Sequence, residues 1–425
     1  MRTTPQTAAP SGTAAPDSSA PTAPQEAVRP RVRDLLRASG GGRYTVALAV
    51  DALGNGMLRP FLLLYGVEVL RLSAPRAGAA MTLGVVGGLC ATPAVGRLLD
   101  RGARSSVVAA AMLIRVLGTL LLLAAPAGGI VPFAAAALFL GIGNQAMPAA
   151  HSALVATVSG GRRRDAALAA ARSVRNAGMG LGALVTTACL VGGPSALRAL
   201  AAATGAGFLL AGSLAASVRV RAGAAATGRP GRRSGPVPGM RALLSANVVY
   251  AFCLNVPEIA LPLVVVNMLH ASPMWAAGIF VTNTVLVVTL QVPVTVRMAR
   301  FSRHRAMATG GLVIAVSYLG FLAAATLGRG AACAPAVAAV SVLCTLGEIV
   351  YAGSSGPLLL ELAPPAAVGR ALARFQLSTG LGLAVSPVVI TTLAAHGAAA
   401  LWLTLTAATL PAAYAVGRRP GRRAD

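Results

Sequence analysis

Residues 77–126 read AGAAMTLGVVGGLCATPAVGRLLDRGARSSVVAAAMLIRVLGTLLLLAAP. Two apolar runs, 77–98 and 106–126, each have about the 20 residues a helix needs to cross the hydrocarbon of a bilayer. Between them sits a short loop carrying Arg97, Asp100, Arg101 and Arg104. A helix in a soluble core would show a polar stripe to water, and neither run has one. The stretch reads as a helical hairpin whose solvent is lipid.

The rest of the chain repeats this pattern. Of its 425 residues, 56% are hydrophobic and 11% charged. Apolar runs recur at about 44–65, 77–98, 106–126, 130–152, 172–192, 196–218, 242–266, 275–296, 306–327, 334–361, 371–394 and 397–416. They predict an all-α polytopic membrane protein of about twelve transmembrane helices. The 48 Gly and 27 Pro fit such helices, because neighbouring helices re-satisfy freed backbone groups and small residues let helices pack closely.

The net charge of +25 would suggest nucleic acid in a soluble protein. Its distribution gives a better explanation. All 36 basic residues are Arg. With the N-terminus placed in the cytoplasm, thirty fall on cytoplasmic segments, Arg71, Arg76, Arg198 and Arg329 fall outside, and Arg59 and Arg115 lie within helices. That asymmetry is the positive-inside pattern, and it predicts a multi-pass protein of a bacterial-type inner membrane with both termini cytoplasmic. No nucleic-acid partner is expected.

Absent residue types narrow the function. Without Lys there is no Walker A lysine and no Schiff-base amine, so the energy for any uphill work is expected from a gradient. The five Cys (90, 189, 253, 333 and 344) have no paired spacing, and the four His (151, 270, 304 and 396) lie far apart. No metal cluster or cofactor is expected. No nucleophile, base and orienting group converge at recognisable spacing, so the chain does not read as an enzyme.

The organisation is six helices and six. Residues 1–43 predict a disordered cytoplasmic tail, rich in Ala, Pro, Thr and Ser and without the apolar centre of a signal peptide. Residues 44–218 form a first six-helix bundle, and 219–241 an Arg-, Gly- and Pro-rich cytoplasmic linker. Residues 242–416 form a second bundle, and 417–425 a basic tail. The halves repeat weakly. At an offset of 200, Asn55 meets Asn255, Gly78 meets Gly278, Pro93 meets Pro293 and Arg97 meets Arg297. At an offset of 202, Ala171-Arg172 and Gly178-x-Gly180 recur as Ala373-Arg374 and Gly380-x-Gly382. An even helix number per half gives parallel repeats about an axis along the membrane normal.

The loop Gly96-Arg97-Leu98-Leu99-Asp100-Arg101-Gly102-Ala103-Arg104 resembles the signature loop of the major facilitator superfamily, departing only in Ala103 where the pattern has a second Gly. The second copy, Val296 to His304, has Arg300 in place of the Asp. Gly141-Ile142-Gly143 with Pro148, Arg175-Asn176-x-Gly178 and Leu346-Gly347-Glu348 extend the similarity over about residues 44–416. The resemblance implies a transporter with alternating access, its two bundles rocking about a central cavity. In the proton-coupled drug-efflux branches it implies that Gly96, Asp100, Arg101 and Arg104 gate the cytoplasmic side. There Asp100 would sit at the positive N-terminal end of helix 11, where a helix dipole stabilises a carboxylate by about 0.3–1 kcal/mol.

Charges inside the membrane are the remaining candidates, since each costs about 2.5–3.5 kcal/mol at the bilayer centre unless it finds a partner, water or a proton. Arg59 and Glu258 occupy nearly equivalent places in the two repeats. They are expected either to pair as an outer gate or simply to face cavity water. Glu348 is the first candidate for proton coupling, because a carboxyl kept from water favours its neutral form; Asp51 is the second. The alternative for each is a structural acid held by hydrogen bonds. Asn144, Gln145 and Asn255 are candidate substrate contacts, or else hydrogen bonds between helices. Aromatic residues are only 4% of the chain, so a stacking cage for sugars is not expected. The reading is a monomeric secondary transporter whose partners are a small-molecule substrate, protons and the lipid bilayer, and proton-coupled efflux of amphipathic compounds is favoured. The alternatives are a metabolite importer or exchanger of the same fold and a non-transporting scaffold or receptor.

Overall fold

The structure is a computed structural model that describes residues 40–189, 192–220, 239–326 and 333–418. Nearly all of the predicted N-terminal tail, most of the 219–241 linker and most of the basic C-terminal tail lie outside these residues. The described residues form twelve helical rods and no strands. In the first half these are α1 (Gly42–Leu64, continued by a π turn at Tyr65–Val69), α2 (Ala74–Asp100), α3 (Arg104–Ala124), α4 (Ile130–Val158), α5 (Gly161–Cys189) and α6 (Gly193–Ala216). In the second half, α7 (Met240–Cys253) runs on through Leu261–Leu263 with π turns at Val256–Ala260 and Val264–Met268. It is followed by α8 (Pro273–Met298), α9 (Arg303–Thr326), α10 (Cys333–Leu362), α11 (Val368–Ala395) and α12 (Ala398–Gly417).

Ten of these rods are long and apolar enough to cross a membrane, and α1 makes an eleventh when Gly42–Leu58 and Leu62–Val69 count as one bent span. The twelfth, α5, begins at Gly161, eleven residues before the predicted span. Its opening turns are rich in Ala and Arg, which are strong helix formers, so the helix continues through the charges that had read as a loop. Arg172 and Arg175 therefore stand inside the rod, Arg172 about 16 Å from its start at 1.5 Å per residue.

Packing follows the sequence repeat. In the first half the contacts run α5–α1–α6–α3–α4–α2, and in the second α11–α7–α12–α9–α10–α8. Adding six to each label of the first chain of contacts gives the second. The bundles meet chiefly where α2 packs on α11 and α5 on α8, pairs that the same operation exchanges. Large apolar side chains such as Leu83, Leu184 and Val388 are about two-thirds exposed, a surface that only lipid would solvate without cost.

The apolar core is divided in a way that positions the site. At the end carrying the basic loops, one continuous cluster joins both bundles, from Tyr44, Leu99 and Leu154 to Leu243, Met307, Leu359 and Leu372. Toward the opposite end there are two clusters. One is built on Leu58, Phe133 and Phe208 of the first bundle, the other on Val256, Phe321 and Trp402 of the second. The molecule is welded at its basic end and split at the other.

Candidate functional site

At the basic end the signature loop meets the start of α11. Asp100 closes α2, and its Oδ1 accepts from the backbone N–H of Gly369 at 2.6 Å and of Arg370 at 3.3 Å, the free donors in the first turn of α11. Its Oδ2 pairs with Arg370 Nε at 2.8 Å. This approach needs Gly96: a Cβ there would lie 2.7 Å from Ala373 Cβ and 3.0 Å from the Gly369 carbonyl. Arg101 is exposed, whereas Arg104 is buried at the start of α3 within electrostatic range of Asp100.

A second clasp lies where α5 and α9 begin, and the sequence reading missed it. Arg303 Nη2 pairs with buried Asp165 of the first bundle at 2.9 Å. Its Nη1 reaches Glu361 at 3.2 Å and the Pro357 carbonyl at 2.9 Å, both on α10. The second loop has Arg300 in place of the signature Asp and so lacks the acid of the first. Instead the polarity is inverted, with the acid on α5 and the cation at the start of α9. A lone acid after Arg162, Arg163 and Arg164 was the available signal.

Above this closed end, a cavity of about 580 Å³ lies between α1, α5, α7 and α8. Met179, Ala183, Pro257, Pro262, Ala276 and Phe280 give it an apolar wall. Asn176, Asn283, Thr284 and Glu258 supply its polar groups. Pro257 and Pro262 deprive α7 of two backbone donors, and the helix widens into π turns around them. That places the exposed Glu258 on the cavity wall.

Glu348 sits on α10 beside this wall and is only 3% exposed. Its Oε2 accepts from Asn283 Nδ2 at 3.2 Å, and Asn283 also donates to Thr345 Oγ1 at 3.0 Å. Arg172 of α5 lies within electrostatic range of Glu348 and of Tyr351. Sequence reasoning had counted it among the cytoplasmic arginines, at the first residue of the fifth apolar run. Asp51 is inside the first bundle, ion-paired with Arg115 and accepting from Asn55 Nδ2 at 3.2 Å. Arg115 is fully buried; its Nε donates to the Ala111 carbonyl at 3.1 Å and its guanidinium lies over the Phe208 ring, 4.5 Å from the centroid.

The amides singled out from the sequence all have protein partners in this state. Asn144 Oδ1 accepts from Arg115 at 3.4 Å. Gln145 Oε1 accepts from Gln376 Nε2 of the other bundle at 2.9 Å. Asn255 donates to Ser386 Oγ at 2.5 Å, tying α7 to α11. The side chain of Arg59 lies outside the described residues.

Two pseudo-symmetric six-helix bundles, closed at one end over a cavity that opens at the other, define a polytopic membrane carrier. The family model of the Major Facilitator Superfamily matches residues 44–387, and the chain belongs to that superfamily. Among solved structures, a bacterial homologue of the iron transporter ferroportin in its outward-facing state superposes with a TM-score of 0.73 at 13% identity. That match covers 88% of this chain and 98% of the other. The human organic anion transporter MFSD10 gives 0.68 at 13% identity, covering 91% and 100%. A point variant of the E. coli fucose:proton symporter FucP gives 0.67 at 12%, covering 88% and 98%. No curated protein sequence matches the chain significantly. At these identities the neighbours show a common fold. Together with the family they make the chain a multi-pass membrane transporter, for which alternating access is the fitting mechanism.

Proposed function

We propose that this carrier is a proton-coupled exporter of drug-like, amphipathic small molecules, with its basic end and both termini on the cytoplasmic side. The observation that carries the reading is the cavity of about 580 Å³, open away from the basic end, with the buried Glu348 carboxyl hydrogen-bonded to Asn283 in its wall. In this orientation the structure is the outward-facing state.

Apolar walls with a few amides and one acid suit a ligand with an apolar body and a polar or cationic head. Glu348 is the proton site. It loads from the outer cavity, the bundles rock, and substrate arriving from the cytoplasm accompanies release of the proton inward. Such coupling is within the fold's range, since one structural neighbour is a sugar:proton symporter. Asp51, ion-paired with Arg115, is the secondary proton site. Glu258 lies exposed on the cavity wall, and in the inward-facing state it approaches Arg59 to close the outer gate. The Gln145–Gln376 bond crosses between the bundles, so rocking breaks it and turns both amides toward an inward cavity. Asn144 and Asn255 border the same path.

The test is transport in everted vesicles of cells expressing the protein, with substrates chosen by resistance profiling. Accumulation of substrate in the vesicle lumen is expected when the lumen is made acid relative to the bath, protons leaving as substrate enters. Glu348→Gln should lose uphill accumulation at least about tenfold, equivalent to about 1.4 kcal/mol of coupling, while equilibrium exchange persists. Undiminished proton-driven accumulation by Glu348→Gln would refute the coupling assignment.

A further inference from the structure

Beneath the cavity, a half-buried arginine and a buried carboxyl sit on opposite bundles without touching. Arg172 rides on α5, and its Nε is buried with no hydrogen-bond partner. Glu348 rides on α10; Asn283 holds one carboxyl oxygen, and the other, Oε1, is buried and unpartnered. The two helices pack against each other, and the two charges act on one another across the interface. A buried polar atom without a partner costs about 1–3 kcal/mol, and more when charged. Two such atoms of opposite charge on packed helices of opposite bundles therefore favour a state in which they meet.

The groups that act on Glu348 come from both bundles. Glu258 and Cys253 face it from α7, Asn283 from α8, Tyr318 from α9, and Cys344 and Tyr351 from its own helix. Arg172, from α5 of the other bundle, is the cation that acts on it. We propose that Arg172 is the positioning cation for Glu348: when the carboxyl gives its proton to water, the two form an ion pair across the bundle interface that holds the basic end shut. Reprotonation leaves a neutral acid, the pair dissolves, and α5 and α10 separate at that end. One proton leaves and one returns per cycle, and Arg172 stays charged throughout. The inference rests on Glu348 as the proton site and gives the reason its charge is felt by both bundles.

The test uses the full chain in proteoliposomes and dicyclohexylcarbodiimide, a lipophilic reagent that modifies protonated carboxyls, with labelling of the Glu348 peptide followed against pH. Removing an opposite charge moves a carboxyl's protonation by about one pH unit or more. Arg172→Gln should therefore displace the labelling curve along the pH axis by at least about that much, and Arg172→Lys should return it near wild type. Arg172→Met, apolar and similar in length, is the second variant should Arg172→Gln fail to accumulate. A loosened structure would change the height of the curve and leave its position. Curves for Arg172→Gln and Arg172→Met that overlie wild type, or differ in height alone, would overturn the proposal. Glu348→Gln transport separates the two levels. If accumulation survives in it, the proton-site reading falls; if accumulation is lost and the labelling curves do not move, the role of Arg172 alone falls.

Discussion

Asp51 and Arg115 show what one buried pair can and cannot contribute. Removing two charges from water offsets most of their mutual attraction, so the intact pair adds little net stability, but a lone survivor is left as an unpaired buried charge costing about 3–5 kcal/mol. Arg115→Met should accordingly destabilise the protein by about that amount, read as a lower midpoint of thermal unfolding in detergent. The double variant Asp51→Asn/Arg115→Met should recover much of the loss, and a double variant worse than both singles would mean that the pair is not the source of the effect. The sequence made a need for partners visible, because both charges fell in apolar runs where an unpaired charge is costly; the fold shows that they satisfy each other. Arg172 was not visible in that way. Three arginines precede it at 162–164, and a one-dimensional reading assigns such a cluster to water. Only the folded helix shows that it extends past the cluster and carries Arg172 to the bundle interface.

At the scale of elements, the closed end depends on two clasps of opposite polarity, α2 to the start of α11 and the start of α5 to the start of α9. A hydrogen bond to a charged group contributes about 1.5–3 kcal/mol, so each clasp should bias the closed state by roughly tenfold or more. Ala373, buried beneath Gly96, reports on this. In a background without the native cysteines, Ala373→Cys should react with a water-soluble maleimide about tenfold faster when Asp100→Asn is present. The same is expected of Asp165→Asn, with a further increase in the double variant. Equal rates in all four backgrounds would contradict the clasp. The first clasp was legible because its residues are contiguous at 96–104; the second was not, because its partners, Asp165, Arg303 and Glu361, lie on three separate helices. The twelve apolar runs were legible nearly throughout, since hydropathy is local. The start of α5 and the π turns of α7 depend on neighbours and on paired prolines.

For the whole molecule, the weak repeat at offsets of 200 and 202 becomes a pseudo-two-fold pattern of helix contacts, exact in its order though few residues match. Symmetry survives because what each position requires is small size or apolarity, which many residues satisfy. The division of the core carries the mechanical consequence: one cluster spans both bundles at the basic end, and separate clusters lie toward the other. Two rigid bodies joined at one end can exchange the joined end for the free one by rocking. Spin labels at the exposed Arg162 and Arg305 report the basic end, and labels at the exposed Arg71 and Ser272 report the opposite end. The direct measurement is the distance distribution of each pair by pulsed electron resonance, before and after both clasps are cut with Asp100→Asn and Arg303→Ala. Rocking lengthens the basic-end distance and shortens the opposite-end distance together; distances that change in the same direction, or a basic end that opens while the opposite end stays fixed, would rule it out.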